Sequence, residues 1–193
     1  MDLKPAVLED RFVRLEPMAE RHREALRAAC EADPRTWVEL YPYSMLGDEF
    51  DVIWARQFAE PGPAWIPFAV VVGGRCMGQT SFLAIDAANA SVEIGGTYYH
   101  PEVRGGPVNP AAKRLLLAHA FEAGARRVQF KVDAINARSR AAVRKLGAVQ
   151  EGVLRQDRIC WTGRIRDTVV FSILADEWPE VRARLDQRLA EFP

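Results

Sequence analysis

Residues 91–133 carry the pattern that most restricts how this chain can fold. SVEIGGTYYH is followed by a turn rich in glycine and proline, then by a helical run at about 110–123, then by RRVQFKVD. The outer runs read as strands, the second with clear apolar alternation, and the middle run has the length and composition of a helix. A strand, a helix and a strand in succession make a crossover, which lays 128–133 parallel to 91–100. The flanking segments demand the opposite sense. WIPFAVVV and RCMGQTSFLAID stand either side of Gly73-Gly74, a hairpin signal, and only AANA separates them from SVEIGGTYYH. EGVLRQDRICW and RIRDTVVFSIL form two further arms across Thr162-Gly163. One crossover among hairpins predicts a single α/β (α+β) domain, 1–193. Its sheet is mixed and mostly antiparallel, of about seven strands, with helices on both faces.

The remaining segments fit that frame. RFVRLEPM reads as a first strand closed by Pro17, and AERHREALRAACEA as a helix with Ala25, Leu26 and Ala29 on one face. The pattern breaks across PRTWVELYPYSMLG. A second helix, DEFDVIWARQFAE, carries Phe50, Ile53, Trp54 and Phe58 as a stripe and ends at the PGP of 61–63. NARSRAAVRKLG is a short helix closed by Gly147, and the last helix aligns Trp178, Val181, Leu185, Leu189 and Phe192. The 26 basic and 26 acidic residues cancel, so no global field draws in nucleic acid or an anionic membrane. No apolar run is long enough to span a bilayer and the amino terminus lacks an apolar signal core, which predicts a cytoplasmic protein. Cys30, Cys76 and Cys160 lack metal-ligand spacing and read as small hydrophobes, so no metal is expected. His22 and His119 fall on polar helix faces, and His100 precedes Pro101 at a strand end.

Two stretches carry candidate chemistry. In RGGPVNPAAK, Gly105 and Gly106 let the backbone curl, Asn109 suits an N-cap and Pro110 a first helical position. Unpaired N–H groups at such a helix start accept a phosphate, although a plain capped turn has the same composition. Further on, NARSRAAVRKLGAVQEG sets Asn136, Ser139, Lys145 and Gly147 in a fixed order. Together the two stretches resemble the GNAT superfamily of acetyl-CoA-dependent N-acetyltransferases, in its RimJ/RimL-like branch. There the loop usually reads W-G-x-G-x-N/A-x-E-A-K and the later segment N-x-x-S-x-x-x-x-x-K-x-G-[FA]-x-x-E-G. The similarity runs from about residue 10 to 190.

The resemblance implies acetyl-CoA as cosubstrate, with no metal, and a V-shaped opening where strands 91–100 and 127–133 splay apart. The pantetheine arm would add to the strand backbone there, and the pyrophosphate would rest on the loop from Arg104, with the N–H groups of Gly105, Gly106, Val108, Asn109 and Ala111 as donors. Asn136 and Ser139 would contact the arm. Pro107 departs from the pattern, because it stands where the family has a glycine and it lacks an N–H. Val143 occupies the position where many family members keep an acidic tyrosine, and in this branch the serine matching Ser139 takes that role. Otherwise Ser139 is a helix-surface serine bonded to local backbone.

Glu93 interrupts an apolar run on a strand expected in mid-sheet, as a catalytic base or as a structural carboxylate paired with an arginine. Gly95-Gly96 suggests a bulge that opens the cleft and frees backbone N–H groups about Thr97, Tyr98 and Tyr99 to polarise the acetyl carbonyl. Trp37, Tyr41 and Tyr43 line a substrate groove or belong to the core, and Trp54 reads as core. Arg155, Arg158, Arg164 and Arg166 crowd one hairpin beside Asp157 and Asp167. The expected reaction is direct acetyl transfer to a primary amine in a ternary complex. The acceptor is a protein N-terminus or a small amine. The alternative is a fold relative that binds acyl-CoA without turnover, and family habit implies a homodimer.

Overall fold

The computed structural model describes residues 1–59 and 62–193, so the Pro61 of the expected PGP stop lies outside the described residues. The strands are β1 (Leu8–Glu9), β2 (Arg14–Pro17), β3 (Ile66–Val72), β4 (Arg75–Asp86), β5 (Ser91–Tyr99), β6 (Arg127–Asp133), β7 (Val149–Ile159) and β8 (Ile165–Leu174). The helices are α1 (Arg23–Glu31), α2 (Pro34–Leu40), α3 (Gly47–Trp54), α4 (Val108–Glu122), α5 (Ala137–Leu146) and α6 (Trp178–Ala190). Among the described residues, these eight strands form one sheet in the order β1-β2-β3-β4-β5-β6-β8-β7, and only β5 and β6 pair in parallel. The mixed α/β architecture is the expected one, with the two-residue β1 as an addition.

Local chemistry explains each element. Gly73 and Gly74 both take positive φ, +56° and +77°, which the tight β3–β4 turn requires. Phe68 and Val70 of β3 face one apolar cluster with α4, α5 and α6, while Ala69 between them faces a second cluster with α1, α2 and α3. That alternation is the two-residue period of a strand buried on both faces. Gly147 closes α5 in the left-handed conformation at φ +99°.

Three local readings are corrected. The broken pattern after residue 33 contains α2, which starts at Pro34 behind an Asp33 cap whose carboxylate accepts the Thr36 N–H at 3.3 Å. His22 is buried rather than solvated, with Nε2 3.0 Å from Glu16 Oε2. Helix α4 begins two residues early, because Pro107 already holds helical angles (φ −75°, ψ −18°). Asn109 therefore lies inside the first turn and does not cap it.

The parallel pair is short. β5 and β6 register only as Ser91 with Arg127, Val92 with Val128 and Glu93 with Gln129. Beyond Glu93 both strands continue unpaired with each other, β5 to Tyr99 and β6 to Asp133. On its other side β5 bulges: Gln79 faces Tyr98 and Ser81 faces Gly95, so Gly96 and Thr97 together oppose Thr80. Gly96 turns through φ +58° to make that bulge.

Candidate active site

The opening between β5 and β6 has the bulge on one wall, and Thr97 is its anchor. The Thr97 hydroxyl accepts from Lys113 Nζ at 2.7 Å and lies 2.8 Å from Thr80 Oγ1. Its carbonyl accepts the hydroxyl of Tyr41. Where the strands part, Glu93 is buried and its Oε2 lies 3.3 Å from Lys131 Nζ on β6. Its charged partner is thus a lysine of the neighbouring strand. A Cβ at Gly95 would approach Glu93 Oε1 to 3.0 Å and Leu83 Cδ1 to 2.8 Å, so the glycine leaves room for the carboxylate.

At the end of β5 the chain turns into α4 through residues 100–107. Gly105 takes φ +81°. The N–H groups of Gly105, Gly106, Val108 and Asn109 have no backbone acceptor among the described residues, whereas Ala111 N–H donates to Pro107 O at 2.9 Å. No acidic residue sits in the first turn of α4. Four free donors at the positive end of a helix suit a phosphate or pyrophosphate. Arg104 is occupied beside them. Its Nε donates to Tyr99 O at 2.7 Å, its Nη1 to Asp33 Oδ2 at 2.5 Å, and its guanidinium lies 5.3 Å from the Tyr98 ring centroid. Burial opposes ionisation of Asp33, but the Thr36 and Arg104 contacts outweigh it and hold the carboxyl below its usual range.

On the facing side, Asn136 caps α5 by accepting the Ser139 N–H at 2.9 Å. The N-x-x-S spacing is therefore also a helix cap, and it fixes both side chains at the helix mouth. Ser139 is half-buried, and its hydroxyl takes no hydrogen bond among the described residues. Val143 points into the core.

The proposed acceptor aromatics separate. Trp37 is 0% exposed, donates from Nε1 to Cys30 O at 3.0 Å and stacks on Tyr98 at 4.6 Å, which makes it core. Tyr98 is likewise buried, with its hydroxyl on Ala29 O at 2.8 Å, so only its backbone can meet a ligand. Tyr41 and Tyr43 are half-buried with ring centroids 6.0 Å apart, and Gln79 Nε2 donates to the Tyr43 hydroxyl at 3.4 Å. The Tyr99 hydroxyl is buried without a hydrogen-bond partner among the described residues. Burial raises the phenol pKa of Tyr41, Tyr43 and Tyr99, keeping all three protonated at neutral pH.

The β7–β8 turn docks over this side. Trp161 donates from its backbone N–H to Pro42 O at 3.1 Å and from Nε1 to Trp37 O at 3.2 Å. Arg164 and Arg166 both approach Asp133, at 2.5 and 3.9 Å, so they serve this carboxylate at the end of β6. A cavity of about 270 Å³ lies here, lined by Asp133, Ile135, Gln156, Arg164 and Asp167 among others.

Lys131 and Trp161 escape a reading by motif, and Lys113, the last residue of RGGPVNPAAK, is given no role by it. Lys113 had a signal: it shares the buried face of α4 with Leu116, Leu117 and Ala120, at the spacing of an apolar stripe. A lysine in that stripe marks a polar contact inside the core.

Comparison with known proteins identifies the family and the fold. Residues 13–149 match the family described as "Acetyltransferase (GNAT) domain". A curated relative from Bacillus subtilis, "Putative ribosomal N-acetyltransferase YdaF", is 32% identical over 126 residues, covering 65% of this chain and 67% of the relative. Among solved structures, a GCN5-related N-acetyltransferase from Brucella melitensis is similar with a TM-score of 0.90 and 29% identity. It covers 98% of this chain and 87% of its own. An acetyltransferase structure from T. thermophilus gives a TM-score of 0.83 at 37% identity, over 98% and 100% of the two chains. Among the described residues, no helix is long and apolar enough to cross a membrane.

Proposed function

The chain belongs to the GNAT acetyltransferase family, and from that premise we propose that it stands in the RimJ/RimL-like branch and how its acetyl-CoA-dependent N-acetylation proceeds. Acetyl passes directly to a primary amine in a ternary complex. The observation that carries this reading is the parting of β5 from β6 after Glu93, with the free N–H groups of residues 105–109 at the adjoining helix start. A thioester arm extended along the unpaired edge of β5 satisfies that edge as an added strand would. Its pyrophosphate then takes the N–H groups of Gly105, Gly106, Val108 and Asn109, with Asn136 across the opening. Arg104 supports the loop from beneath through Tyr99 O and Asp33 rather than reaching the phosphate.

Glu93 accepts the amine proton through water, with the Lys131 ammonium compensating its charge. As the nitrogen–carbon bond forms, the carbon–sulfur bond breaks, and Ser139 Oγ gives its proton to the leaving thiolate and regains one from solvent. Backbone N–H groups about Thr97, Tyr98 and Tyr99 stabilise the carbonyl oxygen. Tyr41 and Tyr43 border the acceptor, whereas Trp37 supports them from the core. The ribosomal name of the curated relative makes a protein amino terminus the first acceptor to test, ahead of small amines.

Thiol release from acetyl-CoA, measured over a panel of peptides and small amines, tests this. We expect Glu93→Gln to lower kcat by about 10²-fold or more and Ser139→Ala by a smaller factor. If neither substitution changes turnover, the assignment of base and acid is wrong.

A further inference from the structure

Lys113 has a buried ammonium-bearing side chain, 6% exposed, with no carboxylate within ion-pair distance among the described residues. Its Nζ donates to Thr97 Oγ1 at 2.7 Å and to Thr80 Oγ1 at 3.3 Å, and to nothing else among the described residues. A stretch of apolar side chain of the same length would fill this space with less desolvation. The residue it grips is the bulged one. Thr97 is held at its hydroxyl by α4 and β4, and at its carbonyl by Tyr41 at the end of α2. Three elements thus converge on the segment of β5 that has left β6 and lines the opening.

Given the acetyltransferase reading above, on which this rests, we propose that Lys113 is a positioning residue for acetyl transfer. Through the Thr97 hydroxyl it holds the β5 bulge in the shape that presents its backbone to the thioester. Lys113 touches no reacting atom. Its effect is geometric, and small displacements of a reacting group cost large factors in rate. Loss of the latch therefore lowers kcat while leaving cosubstrate affinity, which rests chiefly on the 105–109 loop, nearly unchanged.

The test is steady-state kinetics with acetyl-CoA and the best acceptor on wild type, Lys113→Met, Thr97→Val and the double variant, with melting temperatures for all four. Thr97→Val keeps the side-chain shape and removes only the hydroxyl, so it carries the test if Lys113→Met fails to fold. We expect each single variant to lose at least about tenfold in kcat with the KM for acetyl-CoA within about threefold. The double variant should be no worse than the poorer single, because both changes break the Lys113–Thr97 contact on which the effect rests. Full additivity, or kcat within twofold of wild type in both single variants, overturns the proposal alone. A wild type that neither binds nor turns over acetyl-CoA overturns the acetyltransferase reading with it.

Discussion

An unfolded chain keeps the Lys113 amine protonated up to its ordinary pKa of 10.5, whereas in the fold burial pulls that value down to about 7. Between those values the unfolded state binds the extra proton, so this residue makes stability rise with pH across that window. Below pH 7 both states are protonated and the cost of burying the charge is felt in full. Lys113→Met should therefore be more stable than wild type at pH 6, by on the order of a few kcal/mol. The gap should close as pH climbs toward 10. Urea midpoints for the two proteins across that range check the sign. A core that tolerates such a cost at neutral pH is consistent with a residue kept for what it does to Thr97. Residues of this kind were the least legible in the sequence. Asn136 and Ser139 could be read because their contact spans a single helical turn. Glu93 with Lys131, Arg104 with Asp33 and Lys113 with Thr80 meet only after the sheet has formed.

Among the elements, the turn into α4 shows how one residue sets a helix boundary. Pro107 stands in helical angles at the N-cap position and contributes no N–H, yet its carbonyl already accepts from Ala111. Alanine adopts the same angles without strain and restores one donor beside the four free N–H groups of residues 105–109. One added neutral hydrogen bond is worth about 1 kcal/mol, so Pro107→Ala should tighten acetyl-CoA binding by less than about tenfold. Titration calorimetry reads this directly, and unchanged affinity would place the phosphates away from residue 107. The glycines about this turn and the β5 bulge were legible because positive φ at Gly96 and Gly105 is a local demand. Helix α2 was not, because Pro34 at its start and Tyr41-Pro42-Tyr43 just beyond it mask a short helix that Asp33 caps and the core cluster stabilises.

For the molecule as a whole, the sheet is two antiparallel blocks joined by three parallel residue pairs. β1 to β5 form one block and β6, β8 and β7 the other. The crossover predicted that join, but chain order does not say which hairpin arm meets β6. Burial decides it: β8, with Val169, Phe171 and Ile173 in the core, takes the inner place. The polar β7, exposed along most of its length, takes the edge. A ligand seated between the blocks touches both, so its binding energy acts on the whole fold. At about 100 times its dissociation constant, acetyl-CoA should stabilise the native state by about 2.7 kcal/mol. For a chain of this size that corresponds to a rise in melting temperature of roughly 5–10 °C. Protection from hydrogen exchange should then increase on β5 beyond Glu93 and on β6 beyond Gln129 together. A melting shift with protection confined to the 105–109 loop would mean that the cosubstrate rests on the helix start without entering the cleft.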